Sequence, residues 1–252
     1  MSNPIYSRND ERETPERMSF DFLFDVSGNG LPCATAPTSA SEIKLKTSYG
    51  VSVFTPMDYL CTYAYPLLVW LHSQEGSEDD LLKMAPKISL KNYLCVAPQG
   101  FSKKNGACAW PLLCLSDIES RVLESVERVK KQFNVNSRRI FLAGMDAGGT
   151  AAMALALARP DVFAGAAAFN APAPRSPMMF RQFKLQKKQS YFVGFPEDSQ
   201  LYSPVALKED IDAFTNAGLN IQFKEYKGQT FEEQIYPDIN RWIMRSISSA
   251  VF

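Results

Sequence analysis

The sequence predicts an α/β fold with a mostly parallel central sheet, helices on both faces and an N-terminal β-hairpin. Two observations support this prediction. Short apolar segments of strand length alternate along the chain with segments of helical periodicity, and this alternation is typical of parallel sheets whose strands are connected by helices. In addition, 46% of the 252 residues are hydrophobic, which is enough to bury the core of one large domain.

The chain is predicted to consist of an N-terminal extension, residues 1–40, followed by the α/β domain, residues 41–252. Residues 1–17 are charged, contain proline and have few apolar side chains to bury, so part of the extension is expected to be flexible. In residues 42–56, polar and apolar residues alternate on both sides of Ser48-Tyr49-Gly50. This pattern predicts the hairpin that begins the domain.

The strands that follow the hairpin are short apolar runs, as expected where both faces of a sheet are covered. They are predicted at residues 66–72, 93–98, 139–144, 162–169, 190–195 and 219–226. The last of these alternates between polar and apolar residues, a pattern that indicates a half-exposed strand.

Helices are predicted between these strands and at the C-terminus, at residues 76–85, 115–134 and 149–158, after Ser203, and before residue 248. Ser116 and Glu119 have the spacing of a capping box, which predicts the start of the second helix. Pro237 interrupts the terminal pattern, so this helix begins at either Thr230 or Tyr236.

The charge balance excludes several kinds of partner. Lys+Arg and Asp+Glu each number 27, so no net field attracts nucleic acid, and none is expected to bind. The longest apolar runs are too short to span a membrane, and the charged N-terminus lacks an apolar signal segment. The five cysteines are odd in number and lack metal-site spacing. They predict buried free thiols in a cytoplasmic protein without metal or cofactor.

One short motif points to a specific architecture. Gly144-Met145-Asp146-Ala147-Gly148 lies between an apolar run and an alanine-rich helix. This is the layout of the G-x-S-x-G turn that presents a nucleophilic serine in hydrolases, with aspartate in place of serine.

Together with four other stretches, the motif resembles the α/β-hydrolase superfamily, in its carboxylesterase/phospholipase-like and dienelactone-hydrolase-like branch. The stretches that carry the resemblance are LLVWLHSQEGSEDD, YLCVAPQG, RRIFLAGMDAGG, GFPEDSQLYSP and YKGQTFEEQ. The resemblance covers roughly residues 40–248 and implies the α/β-hydrolase fold.

The resemblance also assigns positions to a catalytic triad. It implies that Asp146 occupies the nucleophile position, Gln229 the histidine position and Asp198 the acid position. It further implies an oxyanion hole and pocket, formed by His72, Ser73, Gln74, Ala147 and Trp110. His72 is the only histidine of the chain, and the resemblance gives it a structural place beside the oxyanion loop.

Aspartate is a legitimate nucleophile in other branches of this fold, so Asp146 alone decides nothing. The covalent intermediate must afterwards be hydrolysed by water, which a histidine activates, and Gln229 has no titratable nitrogen. At the start of a helix, Asp146 is expected to bond nearby backbone amides and to have its negative charge stabilised.

The sequence therefore favours a catalytically degenerate protein, a pseudo-esterase that acts as a binding or interaction module. The protein would bind a protein partner or a small ligand through the inherited pocket, the 170–190 insertion or the N-terminal arm. The sequence does not decide whether the chain forms a homo-oligomer. The alternative is a hydrolase of the carboxylesterase/phospholipase class with an atypical site centred on Asp146. The sequence thus leaves open whether the protein is an enzyme and favours the interpretation that it is not.

Overall fold

The computed structural model describes residues 41–44 (backbone only), 49–74, 76–102, 108–175, 180–199, 202–228 and 230–249. All of them lie in the unit Thr35–Phe252, one of two into which the chain divides. The predicted extension, residues 1–40, lies outside the described residues. None of the helices among the described residues is long and apolar enough to cross a membrane.

The described residues form ten strands, at Ser41–Lys44 (β1), Val51–Thr55 (β2), Tyr65–Leu71 (β3), Leu94–Pro98 (β4), Phe101–Ser102 (β5), Cys108–Ala109 (β6), Val135–Met145 (β7), Gly165–Phe169 (β8), Ser190–Pro196 (β9) and Asn220–Tyr226 (β10). The helices among them are Asp80–Ile88 (α1), Leu115–Gln132 (α2), Ala147–Ala158 (α3), Phe183–Gln186 (α4), Pro204–Asn216 (α5) and Phe231–Ser249 (α6). The short strands β5 and β6 and the single-turn helix α4 were not predicted.

Eight strands form one sheet in the order β1-β2-β4-β3-β7-β8-β9-β10. The strand β2 is antiparallel to both β1 and β4, and every other pair in this sheet is parallel. The predicted hairpin and the mostly parallel sheet are therefore confirmed. Because parallel strands end at one edge of a sheet, residues that follow β3, β7, β8 and β9 come together there.

The core lies on both faces of this sheet, because successive side chains of a strand point to opposite faces. Leu67 and Val69 of β3 pack with α2, α3 and α5 on one face. Leu68 and Trp70 pack with α1 and α6 on the other. The prediction of helices on both faces is confirmed.

The predicted capping box of α2 is wrong. The N-cap of this helix is Cys114, and no side chain caps it. Ser116 already lies inside the helix, and Glu119 forms an ion pair with Arg159 of the α3 C-terminus. Of the two predicted starts of the last helix, Thr230 and Tyr236, the structure supports the earlier one. The helix α6 begins at Phe231 and contains Pro237.

The cysteine prediction is wrong for two residues. Cys61 is disulfide-bonded, and Cys114 is free but exposed, whereas Cys95 and Cys108 are the buried free thiols that were expected. Cys33 lies outside the described residues. A disulfide is uncommon in a reducing compartment, so thiol usage no longer supports a cytoplasmic location.

Candidate functional site

Asp146 forms a one-residue turn between a strand and a helix. The strand β7 ends at Met145 and α3 begins at Ala147, while Asp146 has φ 53° and ψ −123°. A positive φ costs a residue other than glycine about 1–3 kcal/mol. The surrounding structure holds this conformation, because the Asp146 N–H donates to the Phe169 carbonyl (2.9 Å) and its own carbonyl accepts from the Thr150 N–H (3.0 Å).

Two glycines allow this sharp turn because the backbone on either side is tightly packed. A Cβ atom on Gly148 would lie 2.3 Å from the carbonyl oxygens of both Leu71 and His72. A Cβ atom on Gly144 would lie 2.5 Å from the backbone of Gly148. The first turn of α3 therefore packs directly against the end of β3, and a side chain at either glycine would separate them.

The carboxylate of Asp146 belongs to a chain of polar side chains. It accepts a hydrogen bond of 2.8 Å from Nδ2 of Asn170, and Oδ1 of Asn170 accepts one of 2.9 Å from the Ser199 hydroxyl. These residues follow the neighbouring strands β7, β8 and β9. Asp146 was expected to bond nearby backbone amides, but its side chain makes no capping bond to α3.

The pKa of the Asp146 carboxyl is raised above its ordinary value. Burial is the largest cause, the hydrogen bond from Asn170 opposes it, and the negative charge of Glu232 adds to it. The helix N-terminus was expected to stabilise the negative charge, but the net direction of the pKa shift is upward, because loss of hydration is the largest effect. Burial also raises the pKa of Tyr202, and the charge of Asp146 contributes, so Tyr202 and Glu232 are both within electrostatic range of Asp146.

His72 is fully buried at the end of β3. Its Nδ1 atom lies 2.7 Å from the Ser73 carbonyl oxygen and acts as a donor, and Nε2 accepts from the Gly100 N–H at 2.9 Å. The His72 carbonyl accepts from the Trp110 indole N–H at 2.9 Å. Burial is the main reason why the pKa of His72 is lowered. Both ring nitrogens of a neutral imidazole are thus engaged, which supports the structural role inferred for this residue.

The structure brings the predicted oxyanion loop beside the turn. The His72 carbonyl borders Gly148 of α3, the residue that follows Ala147. Ser73 is half-buried and its carbonyl also accepts from the Gly76 N–H (3.1 Å), whereas Gln74 is exposed. The Thr150 N–H in the first turn of α3 donates to the Asp146 carbonyl. The N–H groups that precede it have no carbonyl partner within a helix, so the Ala147 N–H stays a candidate oxyanion donor. The next loop residue, Glu75, lies outside the described residues.

Of the positions assigned to the acid and the histidine, only that of the acid, Asp198, lies among the described residues. Asp198 is exposed, two residues beyond the end of β9. Gln229 lies outside the described residues; Gly228 before it is exposed, with φ 85°. The roles assigned to Asp198 and Gln229 therefore stay predictions.

Four residues near the turn were missed in the sequence: Asn170, Ser199, Tyr202 and Glu232. A signal existed for the first two, because they are polar residues just beyond the carboxyl ends of predicted parallel strands, where functional groups collect. Glu232 begins a helix, and no local pattern indicates that it approaches Asp146.

Within the part of the chain that the structure describes, no group of three or more His, Cys, Asp or Glu side chains is placed to hold a metal ion.

Comparison with known proteins gives one family match. Residues 95–217, which are 123 of the 252 residues, match the esterase family described as "Putative esterase". The match includes the turn at Asp146 and the position of Asp198, and it ends before Gln229. No curated protein matches the sequence.

Solved structures resemble this chain over most of its length. A ferulic acid esterase is 15% identical, with coverage of 83% of this chain and 100% of that chain and a TM-score of 0.62. A carboxylesterase of Bacillus cereus is 17% identical, with coverage of 79% and 95% and a TM-score of 0.64. SOBER1 of Arabidopsis thaliana is 18% identical, with coverage of 73% and 100% and a TM-score of 0.61. At these identities the likeness concerns the fold.

Proposed function

We propose that this chain, which has the α/β-hydrolase fold predicted from its sequence, is a catalytically degenerate, esterase-like protein that acts as a binding or interaction module. One observation carries the proposal. The only histidine of the sequence is His72, which is buried, with both ring nitrogens engaged by Ser73 and Gly100. It is therefore not available as a general base at Asp146.

The chemistry of ester hydrolysis explains why this matters. A carboxylate such as Asp146 attacks without a base, but the resulting covalent intermediate is released only by activated water. Loss of the nucleophile or the histidine of a serine-type triad costs on the order of 10^6 in turnover. The oxyanion donors and substrate binding that remain supply about 10^3 to 10^4 over water. We expect the inherited pocket to bind without turnover.

An activity assay tests the degenerate site. We expect the full chain to hydrolyse short-chain p-nitrophenyl esters no faster than the Asp146→Ala variant does. Turnover that Asp146→Ala abolishes would overturn the proposal and establish the alternative, a hydrolase of the carboxylesterase/phospholipase class centred on Asp146. For a binding module, the expected positive result is saturable binding of the intact ester, measured by ligand-observed NMR.

Restoration of the triad tests whether the scaffold is intact. The double variant Asp146→Ser with Gln229→His is expected to react with a fluorophosphonate probe, and the single variant Asp146→Ser serves as the matched control. Labelling of the double variant alone would support the positions assigned to Asp146 and Gln229. Absence of labelling would indicate that the pocket, as well as the triad, has been lost, and would contradict binding in an intact pocket.

A further inference from the structure

A groove separate from the turn at Asp146 lies between the outer strand β10 and helix α6. Its volume is about 230 Å³. The residues that line it include Phe192, Lys224, Asp238, Arg241, Trp242 and Arg245. None of these residues takes part in the polar chain at Asp146.

The polar wall of the groove follows from helix periodicity. Asp238, Arg241 and Arg245 are spaced three and four residues apart on α6, so their side chains share one face of the helix. Lys224 projects from β10 towards the same face and reaches Asp238. The Asp238 side chain is 6% exposed, whereas those of Lys224 and Arg241 are 46% and 57% exposed. The carboxylate is thus at the base of the groove and the two cations are at its opening.

The buried carboxylate is fully engaged by its neighbours. Oδ2 of Asp238 accepts hydrogen bonds from Lys224 Nζ (2.6 Å) and from the Tyr226 hydroxyl (2.7 Å), and Oδ1 accepts one from Arg241. Burial raises the pKa of Asp238, but these hydrogen bonds and the charges of Lys224 and Arg241 together lower it. Asp238 is therefore ionised at neutral pH and forms an ion pair with each of the two cations.

The charges of this cluster do not cancel. Lys224 and Arg241 contribute two positive charges against the single negative charge of Asp238, in a chain whose formal net charge is zero. An ammonium group has three N–H donors and a guanidinium five, whereas Asp238 accepts one hydrogen bond from each group. Donors and positive charge therefore remain beside a cavity that two aromatic residues, Phe192 and Trp242, also line.

We propose that this groove is a binding site for a small phosphate monoester with an apolar substituent. The phosphate would lie between Lys224 and Arg241. Both cations would donate charge-assisted hydrogen bonds to its oxygens, and such bonds are stronger than those between neutral groups. The apolar substituent would lie against the Phe192 and Trp242 side of the groove. Asp238 does not contact the ligand, and its negative charge offsets part of the positive charge that the phosphate would meet.

Isothermal titration calorimetry of the full chain with phenyl phosphate tests this site. We expect saturable binding that weakens as ionic strength rises, because salt screens exposed charges. Inorganic phosphate is expected to bind more weakly, and phenol is not expected to bind at all. Equal affinity for phenyl phosphate and phenol would overturn the proposal.

Two variants are expected to change affinity in opposite directions. Lys224→Gln removes a cation and is expected to weaken phenyl phosphate binding about tenfold, the scale of one charge-assisted hydrogen bond. Asp238→Asn removes the negative charge and is expected to tighten binding. Lys208→Gln, at an exposed position of α5, removes a cation away from the groove and serves as the matched control.

The pattern of affinities decides the proposal. Equal affinities in Lys224→Gln and Lys208→Gln would overturn it, as would weaker binding by a folded Asp238→Asn variant. Thermal melting establishes which variants are folded. If Lys224→Gln does not fold, Arg241→Gln replaces it as the groove variant and is expected to weaken phenyl phosphate binding in the same way. Since no residue of the turn is changed, the result is independent of the proposed loss of catalysis.

Discussion

The side-chain amide of Asn170 donates a hydrogen bond of 2.8 Å to the carboxylate of Asp146. The hydroxyl of Ser199 in turn fixes the orientation of this amide. A nucleophile at such a turn is ordinarily served by a histidine, which accepts its proton. Here the neighbouring side chain is the Asn170 amide, which donates a hydrogen bond and cannot accept a proton at any accessible pH. The contact therefore stabilises the Asp146 carboxylate and does not assist catalysis as a base would.

Replacement of Asn170 by aspartate tests this contact. Asn170 has a positive φ of 47°, which Asn and Asp tolerate better than most residues do, so the backbone is expected to persist. Asn170→Asp is expected to lower the free energy of unfolding at pH 7 by about 2 kcal/mol, since a hydrogen bond becomes a repulsion between two carboxylates. The difference in melting temperature from the parent should shrink at pH 4.

Ser199→Ala is the matched control, because it shortens the polar chain without adding a charge. A pH-independent loss in Asn170→Asp would contradict the expected repulsion.

The raised pKa of Asp146 predicts a pH-dependent effect on stability. Its ordinary pKa is 3.8, and burial raises it in the folded protein. The ionised carboxylate therefore destabilises the fold above the raised pKa, and this cost disappears below 3.8. Asp146→Asn keeps an acceptor for Asn170 and is expected to raise the melting temperature at pH 7 but not near pH 3.5. The exposed Asp198→Asn is the control, and an equal effect of both variants would be evidence against burial as the cause.

The order of elements and the position of the turn were predictable because they depend on local patterns. Apolar runs, helical periodicity and the glycines around Asp146 are all contained in short windows of sequence. The raised pKa of Asp146 was not predictable, since it depends on burial, on the hydrogen bond from Asn170 and on the charge of Glu232, which lies far from it in the sequence. The capping box at Ser116 failed for a related reason: the spacing was correct, but α2 begins before it.

The packing of α3 against β3 predicts a severe effect at Gly148. Alanine there would place Cβ 2.3 Å from two backbone carbonyl oxygens. Because the atoms in the way belong to the backbone, no flexible side chain can move to relieve the clash. We expect Gly148→Ala to lower the free energy of unfolding by about 3 kcal/mol or more, measured by urea denaturation. Gly76→Ala is the comparison, because its nearest contact is the flexible Asp80 carboxylate. Similar losses in the two variants would contradict this account.

The cysteines are expected to differ sharply in reactivity. Cys114 is exposed and free, whereas burial raises the pKa of the Cys95 thiol to about 12 and thereby removes its reactive thiolate. Alkylation of the native protein with N-ethylmaleimide, followed by peptide mapping, should label Cys114 but not Cys95 or Cys108. Cys61 should be labelled only after reduction. Labelling of Cys61 without a reductant would show that the disulfide is absent.

A single histidine makes the protonation of His72 directly measurable. Its ordinary pKa is 6.5, and burial lowers it in the folded protein. Long-range ¹H–¹⁵N NMR spectra should therefore show one imidazole, in the Nδ1–H tautomer, that becomes protonated only below pH 6.5. Because folding favours the neutral ring, its contribution to stability is complete above pH 6.5 and is lost as pH falls through the lowered pKa. A midpoint at or above 6.5, or the Nε2–H tautomer, would mean that His72 is not held by Ser73 and Gly100. It would then be available as a base, and the principal argument against catalysis would fail.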